Sequence, residues 1–461
     1  MVVTSKTEEG TRKITREAID NIKKTTVMTD RVKKRHLECL GSPLWISGHR
    51  ARSYMASWKE TRAEPNNVRW ALALARVLDE SPIIIREGEL IVGSETKYVR
   101  GAEVVPEQNP HDVLSSLKQK RMNTMSEVMT ASIDPEDEAV IEESANFWLG
   151  QSIRDMVNAT RRRHAGENYA ELLDNGVRVM TDSVGTTGKN QAVFNPRIIK
   201  KGLNDTIERA KAEREKVLDS FKAFPAHPEK VYHKLAVLNE IIITCEALVR
   251  FARKHADLAR QMAETEKDPD RKQELLEIAE RCEWVPANPA RNFAEALQSY
   301  WFCHICYKKE SPFPAGACPG RMDQWLYPIY EKDLKEGRFT YQQMAEMLGC
   351  LWVKFNELQS FHGFMFSKEA AGSLLQQITV GGTDRYGNDA TNELSYFLLE
   401  ISRQMKTPQP GFYVRWHNNI DHNFMIHAVE TNRDTGGGIP AFINDQAAIR
   451  NFLGYGVKWE D

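Results

Sequence analysis

Charge of one sign is missing from this sequence: 62 basic and 64 acidic residues leave a formal net charge of −2. No global field therefore draws the chain to nucleic acid or to an anionic membrane. Long hydrophobic runs are missing too, since none approaches the roughly 20 residues a membrane span needs. The N-terminal stretch "MVVTSKTEEGTRKITREAIDNIKK" is charged throughout and has no apolar signal core. Cysteine is sparse: seven residues, an odd number, scattered without a disulfide rhythm. Neither a fixed-period repeat nor a low-complexity segment is present. These absences point to a soluble, reduced, cytoplasmic protein with no nucleic-acid or membrane partner.

The common catalytic signatures are also lacking. There is no Ser/His/Asp order, no H-E-x-x-H helix and no kinase set. "CHIC" (Cys303 to Cys306) has zinc-like spacing, but no second Cys/His pair lies at a suitable distance. Its aromatic surroundings favour Cys as a small hydrophobe, so no metal is expected. "ITVGGTDRYGNDATNELSYFLLE" (Ile378 to Glu400) has glycines out of G-x-G-x-x-G order and no G-K-[ST]. Asp389 or Thr391 is expected to cap the helix that follows.

What is present suits a large enzyme core: 461 residues with 10 Trp, 13 Tyr and 18 Phe. The pattern predicts helix from Thr11 to about Arg76, with "VRWALALARVLDES" (Val68 to Ser81) the clearest amphipathic stretch. "IIIREGELIVGSET" reads as two short apolar runs, strand-like, around a turn at Glu87-Gly88. Helix returns over about 134–180, and "TDSVGTTGKNQAVFNPR" (Thr181 to Arg197) carries loop punctuation. Long charged helices follow at roughly 198–222 and 228–266, their charges expected on a solvated face, and another at about 289–309. The last third alternates, with strands at "LLQQITVGG", "PGFYVRWH" and "IPAFIN", the last expected to be buried. Strands alternating with helices argue for a parallel sheet with helical crossovers. "GACPGRMDQWLYPIYEKD" (Gly316 to Asp333) reads as a rigid corner. Arg321 and Asp323 there either pair with each other or satisfy buried backbone groups, and the Arg321 fork can fasten one loop to another.

Several stretches, taken in order, resemble the glycyl radical enzymes, the superfamily that includes pyruvate formate-lyase. They are "IREGELIVG", "KKGLNDTIERAKAE", "EALQSYWF", "CPGRMDQWLYPIYEKD", "ITVGGTDRYGNDATNELSYFLLE", "VRWH" and "GGGIPAFINDQ". The resemblance implies an α/β fold: the N-terminal half of the superfamily's barrel, a parallel half-barrel with helical crossovers, plus an outer helical region. Residues 1–461 then form one truncated domain, with about 1–180 mainly helical and about 181–461 the first half of the barrel. It further implies a lyase that abstracts hydrogen with a thiyl radical. The favoured substrate is an aromatic or hydrocarbon carboxylate, as in arylacetate decarboxylases or fumarate-adding synthases, because "SPFPAG" and "FHGFMF" are aromatic-rich. The alternatives are a dehydratase or C–N lyase, or a non-catalytic half-enzyme that docks a C-terminal partner chain.

The same resemblance implies that the catalytic cysteine and the radical-bearing glycine lie beyond Asp461, so none of the seven Cys is catalytic and this chain alone is inert. It implies a protein-derived glycyl radical installed by a separate radical S-adenosylmethionine activating enzyme, no bound cofactor, a small organic substrate and a homodimeric intact enzyme of anaerobic metabolism. Two departures bear on substrate. Cys318 stands in "CPGR" where many members carry Ser, and Lys189-Asn190 stands where dehydratase-like members carry Gly-His. The missing His removes a proposed proton relay to a leaving hydroxyl. Lys189 either holds a substrate carboxylate or points to solvent. The pocket candidates are thus Lys189, Asn190 and Cys318, with Arg321 and Asp323 as the structural corner.

Overall fold

A computed structural model describes residues 14, 16–119, 131–166, 196–222, 227–310, 318–360 and 376–458. The chain divides into two compact units, neither of them a single continuous stretch. The larger comprises Leu37–Ala317 and Asn356–Leu374; the smaller comprises Met1–His36, Cys318–Phe355 and Leu375–Asp461. The boundary expected near residue 180 falls within 167–195, outside the described residues.

In the larger unit, strands β1 (Leu44–Ser47), β2 (Arg100–Glu103) and β3 (Ser132–Ile133) form a parallel sheet in the order β2-β1-β3. Leu358 adds a parallel bridge to Gly101 on the outer side of β2. Ile46, Ala102, Val104 and Ile141 pack as one buried cluster against this sheet. β1 interrupts the helical pattern expected from Thr11 to about Arg76. Its four residues lie between Pro43 and Gly48, too short a run to establish a period of two.

The expected strands in "IIIREGELIVGSET" do not form, although the turn at Glu87-Gly88 does. Buried backbone groups must find partners, and here helix side chains supply them. Gln298 accepts from Val92 N at 2.9 Å and donates to Val92 O at 2.7 Å, as a neighbouring strand would. Trp301 Nε1 donates to Gly93 O, Arg281 to Leu90 O and Arg271 to Glu89 O. The donors sit on helices Pro269–Trp284 and Phe293–Glu310, the first of which the sequence pattern did not anticipate. The long charged helices are Arg197–Phe221 and Pro228–Thr265. Gly202 kinks the first of them at φ 73°, and a Cβ there would meet Ala287 O at 2.3 Å. Only glycine fits so close an approach.

In the smaller unit, β4 (Gln377–Gly381), β5 (Gly411–Trp416) and β6 (Ala441–Asn444) are parallel in the order β4-β5-β6, and Gly320 bridges to Ile378 beside β4. Helices Glu393–Met405 and His422–Asp434 make the crossovers that parallel strands require. Ile378, Val380, Phe412 and Val414 alternate into the core. β6 does not: Phe442 and Ile443 are 42% and 37% exposed, so the strand expected to be buried is an open edge. Both units are thus parallel sheets clothed in helices, an α/β fold.

Candidate functional site

The C-terminal ends of parallel strands are where α/β sheets gather functional groups. In the smaller unit the chain enters that zone at the Cys318–Asp323 corner. Arg321 donates through Nη2 to Gly381 O at 2.6 Å and through Nη1 to Thr383 O at 3.0 Å. Asp323, fully buried, accepts from Gly381 N at 2.8 Å and from the Ser395 hydroxyl at 2.6 Å. Both polar backbone groups of Gly381 are therefore held by one corner. The two side chains satisfy backbone groups rather than pairing as an ion pair. Burial, ahead of its hydrogen bonds, raises the Asp323 carboxyl above the usual range.

The same corner anchors the next helix. Asn392 is the N-cap, in a reciprocal capping box with Ser395, and its Nδ2 donates to Asp323 O at 2.9 Å. Neither Asp389 nor Thr391 is the cap, as the sequence pattern had suggested. Asp389 is turned elsewhere, accepting from Thr391 N, Thr391 Oγ1 and Asp421 N and facing His417 Nε2 at 3.2 Å.

A second clamp lies beside the first. Arg415, near the end of β5, donates to both oxygens of Asp445 at 2.7 and 2.9 Å, and Asp445 is 3% exposed. Asp445 opens helix Asp445–Gly454, where a carboxylate also suits the helix dipole. Gly382 makes room for the Arg415 side chain: at φ +76° a Cβ would sit 2.6 Å from Arg415 Nε. Gly382 of "ITVGG" thus serves this close packing. Arg415, Asp445 and Gly382 were not singled out from the sequence. The signal available was an arginine at the end of an otherwise apolar strand and an aspartate just after another.

Cys318 is half-buried at the start of the corner. Burial pushes its thiol up, and a backbone hydrogen bond at Gln377 only partly offsets this. It is therefore a protonated thiol, not a thiolate nucleophile. Lys189 and Asn190 lie outside the described residues, as do 311–316 and 361–366, the stretches that suggested an aromatic substrate.

The larger unit holds its own polar cluster at its strand ends. Lys309 is fully buried, donating to Glu95 O and lying 3.7 Å from Glu103. Lys308 donates to the Ser360 hydroxyl at 2.6 Å and lies 4.0 Å from Glu95. None of the carboxylate oxygens of Glu95 and Glu103 accepts a hydrogen bond from a described residue. Burial raises the Glu95 carboxyl well above the usual range, with Glu103 pushing the same way. "KKE" before the corner is the sequence trace of this cluster. Among the described residues no group of three or more His, Cys, Asp or Glu could hold a metal, and no helix is long and apolar enough to cross a membrane.

Parallel strands with helical crossovers define a class, the α/β proteins, and solved structures narrow it: a glycyl radical enzyme from Archaeoglobus fulgidus superposes with a TM-score of 0.83 at 29% identity, over 94% of this chain and 54% of that one. The B12-independent glycerol dehydratase of Clostridium butyricum, in its glycerol-bound form, superposes with a TM-score of 0.85 at 30% identity, over 94% of this chain and 53% of that one. The chain belongs to the pyruvate formate lyase-like family, which matches residues 17–461. Isethionate sulfite-lyase of Nitratidesulfovibrio vulgaris is 31% identical over 425 residues, 90% of this chain and 50% of that protein. Trans-4-hydroxy-L-proline dehydratase of Clostridioides difficile is 30% identical over 437 residues, 94% and 53% respectively. The chain thus spans about half the length of the curated relatives it matches.

Proposed function

We propose that the intact protein is a glycyl radical lyase of the eliminating kind, in which a thiyl radical abstracts hydrogen beside a carbon bearing a leaving group. The observation that carries this is the family match across residues 17–461, joined to relatives named for losing sulfite or water. It favours the dehydratase-type alternative over the aromatic decarboxylase or fumarate-adding branch first expected. The corner of Arg321 and Asp323 and the clamp of Arg415 and Asp445 hold strand ends in place. Their part is to orient the reacting region, since a near-attack geometry supplies much of the rate in such chemistry.

The absence of Gly-His at Lys189-Asn190 shapes the substrate reading. Lys189 holds an anionic group of the substrate and Asn190 adds a polar contact. Isethionate and hydroxyproline, named for two relatives, each carry such a group. The radical is a glycyl radical installed by a radical S-adenosylmethionine activating enzyme, and the intact enzyme is a homodimer. The exposed apolar residues Val429, Phe442, Ile443 and Phe452 are covered by the remaining polypeptide, because an open strand edge with apolar side chains invites pairing.

The test is anaerobic activation of the intact enzyme. A glycyl doublet by electron paramagnetic resonance is expected there, and none from the 461-residue chain alone. With an identified substrate, Lys189→Met is expected to raise KM with kcat little changed if Lys189 binds substrate and transition state equally. An unchanged KM removes Lys189 from the site. Expressed alone, the chain is expected to aggregate or to bind a C-terminal partner chain. A monodisperse, cooperatively melting monomer overturns the covered-edge reading.

A further inference from the structure

The "CHIC" pair remains outside the chemistry above, and its surroundings are unusual. Cys303 and Cys306 line a cavity of about 780 Å³ in the larger unit, together with Cys245 on helix Pro228–Thr265. That volume lies within the range of small-molecule pockets, about 300–1,000 Å³. Burial pushes the Cys245 thiol up to about 11 and the Cys303 thiol up to about 12, and it holds Cys306 well above its ordinary value. The three therefore stay neutral and behave as apolar wall. Trp70 and Leu74 extend that wall from helix Asn66–Glu80.

The polar end of the cavity is negative. Among the described residues its one cation, Arg50, is fully buried and already committed. It donates to Lys309 O at 2.7 Å and Glu310 O at 3.0 Å, meets Glu107 at 2.8 Å, and covers the Tyr54 ring at 3.8 Å. Glu107 is 1% exposed and neither of its oxygens accepts an aligned hydrogen bond from a described residue. Glu240 and Glu310 complete this end, and among the described residues no further Lys or Arg lines the wall. The Glu240 carboxyl lies above the usual range, chiefly through burial; a polar contact with the Asn67 side chain partly offsets this, and Glu310 adds to the shift. A cation placed between these carboxylates would remove that cost.

We infer that this cavity binds a small organic cation, an ammonium head held by Glu240 and Glu310 with an apolar body laid against Trp70, Leu74 and the thiols. The aromatic face of Trp70 suits a cation as well as its apolar body. The inference goes beyond the radical reading and does not depend on it.

Three probes of one shape test it: phenethylammonium, 2-phenylethanol and phenylacetate, titrated into the intact protein by calorimetry. The cation is expected to bind at least about tenfold more tightly than the alcohol, with the anion not binding. Glu240→Gln should weaken the cation about tenfold and leave the alcohol unchanged. Leu74→Trp, which fills the cavity, should abolish both. Raising ionic strength from about 50 to about 300 mM should weaken only the cation, and this needs no variant. Equal binding of all three probes, no binding of the cation, or a cation affinity indifferent to both salt and Glu240→Gln overturns the assignment.

Discussion

The two units use the same construction, a short parallel sheet with helices over it, but treat buried charge in opposite ways. In the smaller unit the side chains that hold the strand ends meet partners, although Asp323 Oδ1 and both ring nitrogens of His427 make no hydrogen bond to a described residue. Asp323 takes an amide and a hydroxyl, Arg321 takes two carbonyls, and Arg415 meets both oxygens of Asp445. In the larger unit Glu95 and Glu103 share two buried lysines and accept no hydrogen bond from a described residue. The contrast teaches that one architecture supports both a rigid, satisfied frame and a strained electrostatic cluster. The first fixes geometry. The second makes the unit sensitive to any change of charge.

Removing one charge from the strained cluster should have the largest effect. Lys309→Met takes from Glu103 the buried cation 3.7 Å away, and a loss of about 3–5 kcal/mol is expected in chemical denaturation of the intact protein. Adding Glu103→Gln should recover part of it. A Lys309→Met variant of unchanged stability would erase the distinction between the units.

In the satisfied frame, Asp323→Ala is expected to cost about 3 kcal/mol, because Gly381 N and the Ser395 hydroxyl lose a carboxylate acceptor. Hydrogen exchange at Gly381 should accelerate in step. Stability loss without faster exchange there would mean that the corner does not hold the β4 end.

Two buried groups, one in each unit, titrate in opposite senses. His427 in the smaller unit is 2% exposed, and burial pulls its imidazole down to about 4 from 6.5. The unfolded chain therefore binds the extra proton between these values. Stability is complete above about 6.5 and is lost as pH falls towards 4, by at most about 3 kcal/mol. Glu95 in the larger unit is raised instead. The folded state then holds the extra proton, and its contribution is lost as pH climbs above the ordinary carboxylate value. Acid should loosen the surroundings of His427 and mild alkali those of Glu95, read by hydrogen exchange at each pH. His427→Gln should abolish the acid limb and Glu95→Gln the alkaline one; limbs that persist in these variants belong to other groups.

The smallest effect expected is from Arg321→Lys, about 1 kcal/mol. An ammonium retains the charge but cannot reach the carbonyls of Gly381 and Thr383 as a planar fork does. A melting temperature equal to the parent's would show that charge alone suffices there.

Legibility in the sequence followed length and period. Helices Asn66–Glu80 and Pro228–Thr265 span several turns, so their apolar stripe was readable. The strands β4 and β5 were readable because they sit between strong helical patterns. β1 was not, because four residues between Pro43 and Gly48 carry too little pattern. The corner at Arg321 and Asp323 stood out by composition, but its partners Gly381, Thr383 and Ser395 lie some 60–70 positions away. Spacing along the chain holds no record of such contacts.

By itself, then, the sequence determined the absence of one-signed charge and membrane spans, the alternation of helix and strand in the last third, and the order of motifs that places the chain in its family. These are local or compositional properties, written residue by residue. The tertiary structure alone decided that "IIIREGELIVG" is held by Gln298 and Trp301 rather than by a strand. It also decided that β6 is an open edge, and that Cys245 joins Cys303 and Cys306 around one cavity. Each of these depends on which distant groups fold alongside, and a buried hydrogen bond or cavity wall exists only once both sides are in place.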